Sequence, residues 1–323
     1  MALPKTQYQI HKAEFWEFKG EKTILDLKIR GMAFDSASSV FQFKSAKGFF
    51  FDEEDASYKV SAERASYDLA ARELNLKDGV QLLNEGKGTL IASDLTFYTS
   101  SQNADIPGFF EYFSRPSKPA ERSSLTLSAE SASYDRRDQV IRAITRPHLL
   151  LGDPNGVDLT AGRGEILIQK NRAEFWGGTH WGSKKASGRS ETLSVEFEFD
   201  SSDQKFRVHT FTLKGNAHLA VDPSEFKGGL KMRGEHVECQ FGEDLELKNI
   251  TGKEQIVINL DGGMAFASMA TYEVGNQTMV MEGKPAKVVQ EGKTFYGRTI
   301  EYLLKERVFV IKQADVKFLH GQE

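Results

Sequence analysis

The side chains able to do chemistry are spread through this chain rather than gathered. Its seven histidines are His11, His148, His180, His209, His218, His236 and His320. None has the helical two-histidine spacing or the cysteine neighbour of a zinc site. His209 and His218 could meet across adjacent strands, but two ligands are too few to hold a metal. The one cysteine, Cys239, sits in the alternating run Glu235-His-Val-Glu-Cys-Gln-Phe241 and cannot form an internal disulfide, which leaves the redox compartment open. Carboxylates are plentiful, yet no pair is singled out for acid–base work. The double glycines Gly177-Gly178, Gly228-Gly229 and Gly262-Gly263 lack the following helix that a phosphate-cradling loop requires, and they read as turns. The expectation is a non-enzymatic protein with no cofactor and no metal.

Charge narrows the partners. Forty-two Lys plus Arg against 46 Asp plus Glu give a net charge of -4 over 323 residues, so the chain as a whole does not attract nucleic acid or an acidic membrane. Lys170, Arg172, Lys184, Lys185 and Arg189 lie near expected strand edges and could meet phosphates of a lipid head group. A solvated strand-and-turn face is the plainer reading of the same residues. No run approaches the ~20 apolar residues of a membrane helix. The start Met1-Ala-Leu-Pro-Lys-Thr-Gln7 lacks the regions of a secretory signal, so the protein is either cytoplasmic or a mature form.

The elements that must position these groups come from one repeated phrase. It is clearest at Val60-Ser-Ala-Glu-Arg-Ala-Ser-Tyr-Asp-Leu69, followed by Glu73-Leu-Asn-Leu-Lys-Asp-Gly-Val-Gln-Leu82. It recurs at Leu127-Ser-Ala-Glu-Ser-Ala-Ser-Tyr-Asp135 and at Phe266-Ala-Ser-Met-Ala-Thr-Tyr-Glu-Val274, with looser copies near Ile91, Thr160, Met232 and Tyr296. A spacing of about 30 residues suits supersecondary units that stack on their neighbours. Alternation over four to seven residues predicts short antiparallel strands, and no amphipathic helix exceeds three turns. Ala62 and Ala65 share a face only if one extra residue re-phases the strand, as a bulge or corner would. Small residues at Ala62, Ala92, Ala129, Ala161 and Ala267 suit such corners. Lys77-Asp-Gly79 reads as a turn. The repeat breaks at 101–124, where Phe109, Phe110, Tyr112 and Phe113 accompany three prolines, predicting a loop, a short helix over an open end or a binding tip.

Alternation also names an inward set: Val60, Ala62, Tyr67, Leu74, Leu76, Leu95, Phe97, Leu127, Tyr134, Ile166, Ile168, Val195, Phe197, Phe199, Phe241, Ile256, Ile258, Met279, Met281, Val308 and Val310. These residues would fill a closed core or line an open lipid-binding groove equally well. In a groove, each buried CH₂ of an acyl chain would contribute ~0.8 kcal/mol.

The phrase Ala62-Glu-Arg-Ala-Ser-Tyr-Asp68, with Leu74-Asn-Leu76, Gly79-Val80 and the corner at Ala92, resembles the periplasmic lipopolysaccharide-transport family with the organic-solvent-tolerance type (OstA-like) β-jellyroll. Residues 1–100 look like the anchored, LptC-like section, 101–124 like an insertion or linker, and 125–323 like the soluble, LptA-like bridge section. The resemblance implies an all-β, elongated β-jellyroll or β-taco solenoid of stacked short antiparallel strands, open along one edge. It implies non-enzymatic transfer of lipopolysaccharide, or a similar long-chain amphiphile, through a hydrophobic groove. The implied partners are that glycolipid, other β-jellyroll transport proteins joined edge to edge at both ends, and the inner-membrane extractor complex, with no nucleic acid. It places the protein in the periplasm of a diderm bacterium, with any membrane anchor before residue 1. Two rivals follow from the strands alone: a β-solenoid structural or adhesive protein with a filled core, and a carbohydrate-active enzyme on a β-helix.

Overall fold

A computed structural model describes residues 8–51, 57–84, 88–114, 125–151, 156–200, 205–224, 226, 229–242, 246–260, 263–290, 292–306 and 308–312. Among them the regular structure is strand, apart from a single 3-10 turn at Ile168–Lys170. The chain forms two compact units: residues 1–149, 163–170 and 202–204 make the first, and 150–162, 171–201 and 205–323 the second.

In the first unit β1 (Tyr8–Lys19), β2 (Lys22–Asp35) and β3 (Val40–Phe51) run as an antiparallel meander. The β2–β3 turn is set by Asp35, whose carboxylate accepts the Ala37 amide (3.0 Å) and the Ser38 hydroxyl (3.0 Å). The repeated phrase begins next. β4 (Ser57–Ala62) and β5 (Arg64–Asp68) are parted at Glu63, and β3 pairs with both. Ala62, Ala65 and Tyr67 all point inward, so the extra residue re-phases the strand as the sequence requires. The Glu63 amide is satisfied by the Asp78 carbonyl (3.1 Å).

β6 (Glu73–Asn84) crosses the same corner unbroken. Lys77-Asp78-Gly79 is therefore a bulge inside one long strand rather than the expected turn. Asp78 and Gly79 take positive φ (62° and 65°), and the β6–β7 register shifts between Lys77 and Val80. β7 (Gly88–Tyr98) then pairs with two short strands, β8 (Asn103–Ile106) and β9 (Phe110–Ser114). The part of 101–124 that is described is thus strand, with Phe110 buried; 115–124 lie outside the described residues. β10 (Leu125–Ala129) and β11 (Ser131–Asp135) repeat the phrase, parted at Glu130, whose amide donates to the Thr145 carbonyl (3.0 Å). β12 (Val140–Thr145) follows, then β13 (His148–Leu151), β14 (Val157–Thr160) and β15 (Arg163–Leu167), with β15 returning to pair with β12.

In the second unit β14 pairs with β16 (Arg172–Gly182). Then follow β17 (Ala186–Asp200), β18 (Lys205–Val221), β19 (Leu230–Phe241), β20 (Leu247–Leu260), β21 (Gly263–Glu273), β22 (Thr278–Gln290), β23 (Lys293–Leu303) and β24 (Val308–Lys312). From β16 to β23 each strand pairs antiparallel with the next and shifts register after Trp176, Arg189, Lys214, Arg233, Lys253, Phe266 and Glu282, with further shifts after Glu196 in β17–β18 and after Gln240 in β19–β20. Gly177, Gly178, Gly215, Asn216, Glu254 and Gln255 supply positive φ there. Strands bend through the corner without breaking, so β18 reaches 17 residues where the sequence suggested short pieces.

The expected open solenoid is not what forms. Long strands shared between two short ones, as β7 is between β8 and β9, let a path of hydrogen bonds return on itself. Ten strands close into an antiparallel barrel, and fourteen more are bonded outside it. Alternation is the same in an open and a closed sheet, so it could not distinguish them; closure removes edges that an open sheet would leave unpaired.

Both units are filled by side chains. In the first, Phe15 packs on Tyr67 (4.7 Å between ring centroids) and Phe50 on Phe97 (4.6 Å), around Leu25, Leu27, Leu74 and Leu76. In the second, Phe211 lies 5.0 Å from both Trp181 and Phe241, and Phe226 lies 5.2 Å from Tyr272. Each such side chain contributes ~1.5–3 kcal/mol on burial.

Candidate functional site

The proposed groove residues are core. Val60, Ala62, Tyr67, Leu74, Leu76, Leu95, Phe97, Leu127, Val195, Phe241, Ile256, Ile258, Met279 and Met281 are buried. Tyr134, Ile166, Phe197 and Val310 are half-buried. Ile168 (41 % exposed) and Val308 (47 %) face outward, the first because it opens the 3-10 turn, the second because it starts β24. The Phe199 side chain lies outside the described residues. Residues this well covered by one another present no open apolar lining, so the lipid-transfer groove and the lipopolysaccharide function built on it are not supported.

Chemistry must then be sought on the outside. Among the described residues no three His, Cys, Asp or Glu side chains gather into a metal site. Cys239 is fully buried, and burial pushes its thiol well above the ordinary range, which makes it a core residue rather than a nucleophile. A shallow cleft of about 510 Å³ opens in the second unit between Gly156, Asp158, Thr160, His180, Trp181, Gly182, Ser183 and Lys184. β14–β16 pairing puts Thr160 opposite His180 and Leu159 opposite Trp181. Trp181 forms its buried floor, edge-on to Phe211. Ser183 is a turn residue: its hydroxyl donates to the Ala186 carbonyl (3.1 Å) and accepts the amides of Lys185 (3.2 Å) and Ala186 (3.1 Å). Among the described residues no hydrogen bond links it to His180.

Two outer features remain. One is β1, which among the described residues hydrogen-bonds to β2 alone and leaves its other edge open. It carries Trp16 (49 % exposed) and Phe18 (53 %), with Glu17 between them held by the Arg72 guanidinium. The other is the basic surface of the second unit. Of the basic residues picked from the sequence, Arg172 is engaged by Glu174 (3.0 Å) and donates to the Ser194 hydroxyl (2.8 Å), whereas Arg189 has no carboxylate partner among the described residues. Across the strands Arg189 faces His218, which in turn faces Arg233. His218 cannot meet His209 across adjacent strands as the sequence suggested, because both lie on β18, and Arg233 escaped sequence reading because it joins the row only through strand register.

No protein-family model matches this chain, and no curated protein does. One solved structure that aligns is the crystal structure of LptH, the LptA-homologous periplasmic component of the lipopolysaccharide transport device of Pseudomonas aeruginosa. It shares 16 % identity at a TM-score of 0.24, over 51 % of this chain and 89 % of that one. A likeness so low carries no argument about fold or function. The family resemblance drawn from the repeated phrase is overturned by the closed barrel with its decorating strands. Among the described residues no helix is long and apolar enough to cross a membrane.

Proposed function

We propose that this protein is a non-catalytic β scaffold that acts through its outer surface, taking up an extended segment of a partner polypeptide along β1. The observation that carries this reading is the open edge of β1 itself. Among the described residues no strand lies against the outer side of this twelve-residue strand, where alternate residues turn their N–H and C=O outward, and such a free edge is a template for a further strand. Main-chain hydrogen bonds would supply affinity. Trp16 and Phe18, two residues apart on one face of the strand, would select apolar side chains at alternate positions of the incoming segment. The filled interior supports a scaffold without cargo. A periplasmic setting belongs to the same proposal, and cell fractionation tests it.

The test is photo-crosslinking in cells from positions 16 and 18. The expected result is one discrete adduct whose partner peptide maps to an extended segment, lost when Phe18→Lys is introduced beside the probe at 16. Equal, diffuse crosslinking from 16, 18 and an exposed control such as Lys231 would overturn the proposal.

A further inference from the structure

The second unit carries a row of bases that strand register alone creates. β16, β17, β18 and β19 are hydrogen-bonded in that order, with His180 opposite Arg189, Arg189 opposite His218, and His218 opposite Arg233. Neighbouring strands lie ~4.8 Å apart, which sets Arg189 and Arg233 about 10 Å apart at Cα with His218 midway. All four side chains stand on the wet face, while Trp181, Ala217, Leu219 and Met232, their chain neighbours, are buried beneath and fix the sheet.

Several arginines elsewhere in this protein are held by an acid. Arg142 meets Glu165 (3.1 Å), Arg146 meets Glu130 (3.1 Å), Arg64 meets Asp78 and Arg72 meets Glu17. Arg189 and Arg233 have no such partner among the described residues. The nearest acid along β17, Glu191, is turned past the corner against Gly215, where an added Cβ would meet its Oε2 at 2.6 Å. His218 is oriented rather than free: its Nε2–H donates to the Asn216 Oδ1 (3.2 Å), which leaves Nδ1 for a ligand.

We propose that Arg189, His218 and Arg233 form a binding site for a phosphate group, carried as a phosphomonoester. Two guanidinium forks converging from either side match the oxygens of a tetrahedral dianion, and a protonated Nδ1 between them donates a third charge-assisted bond. Burial, then Arg189 and Arg233, hold His218 below the ordinary histidine range, which favours the neutral ring. Strand register sets Arg189 of β17 and Arg233 of β19 against the ring, while Glu191, Glu235 and Lys214 lie in or past the register corner. A bound dianion reverses the field at the ring and draws a proton onto Nδ1.

The full chain is titrated by NMR of the histidine rings in inorganic phosphate and, at matched ionic strength, in chloride. Phosphate is expected to raise the His218 pKa, and chloride to leave it nearly unmoved. Arg189→Gln and Arg233→Gln should each weaken phosphate binding at least about tenfold. In phosphate-free buffer the same changes should raise the His218 pKa, an opposite-signed effect that general unfolding does not produce. Flotation with vesicles of phosphatidylcholine, with or without phosphatidic acid, separates the sources of the group. Capture by phosphatidic acid that Arg189→Gln abolishes assigns a lipid phosphate, and a phosphate response without capture assigns a soluble one. An equal His218 shift in chloride, or no loss of binding in either arginine variant, overturns the site.

Discussion

Leu76→Ala separates a filled interior from an open lining. Leu76 is 0 % exposed, opposite Ala65 on β5 and Leu95 on β7. Truncation removes three carbons, worth about 2.4 kcal/mol at ~0.8 kcal/mol each. The cavity left behind adds to this, because neighbours held by their own strands relax only partly, and the total falls between ~2.4 and ~5 kcal/mol. Val308→Ala is the control: with Val308 47 % exposed, its cost should stay within about 0.5 kcal/mol. The assay is urea unfolding followed by tryptophan fluorescence and by far-UV circular dichroism, with coincidence of the two curves as the condition for reading a free energy. If Leu76→Ala costs no more than Val308→Ala, Leu76 lines open space and the filled interior is refuted.

Further outcomes follow from single positions. A Cβ at Gly48 would collide with the Asp26 carbonyl, part of the β2 backbone, so Gly48→Ala should destabilise by ~1–3 kcal/mol or more, seen as a lowered urea midpoint. Cys239, buried with its thiol pushed up, should resist a thiol reagent at pH 8 in the folded protein and react at once in denaturant. His218 and His236 both sit below their unfolded pKa, chiefly through burial. Below pH ~6.5 the unfolded chain therefore binds more protons than the folded one. Stability should be full above that pH and fall as pH drops toward the folded values, and His218→Gln should flatten the slope.

The corners were legible in the sequence because their cause is local. Ala62 and Ala65 can share a face only by re-phasing, and Glu63 and Glu130 part β4 from β5 and β10 from β11 where the phrase places them. Most of the inward set was legible for the same reason, since period two reports which side of a strand is apolar. What lies on that side is not local: Leu76 alternates identically over a groove or a core, and only strand pairing decided. Long strands were missed because Lys77-Asp-Gly79 has the composition of a turn, whereas positive φ at Asp78 and Gly79 builds a bulge within β6. The arginine row was half legible: Arg189 stood out as basic, but its facing residues depend on register shifts at Arg189 and Lys214 that no spacing rule encodes.

The interior of this β protein is filled by its own side chains. Cysteine accessibility measures that directly, with Leu76→Cys, Met281→Cys and Val308→Cys each treated with a small apolar thiol reagent under native conditions. Rapid labelling is expected at 308, and protection at 76 and 281 until the protein unfolds. Labelling at 76 and 281 as fast as at 308 would contradict it.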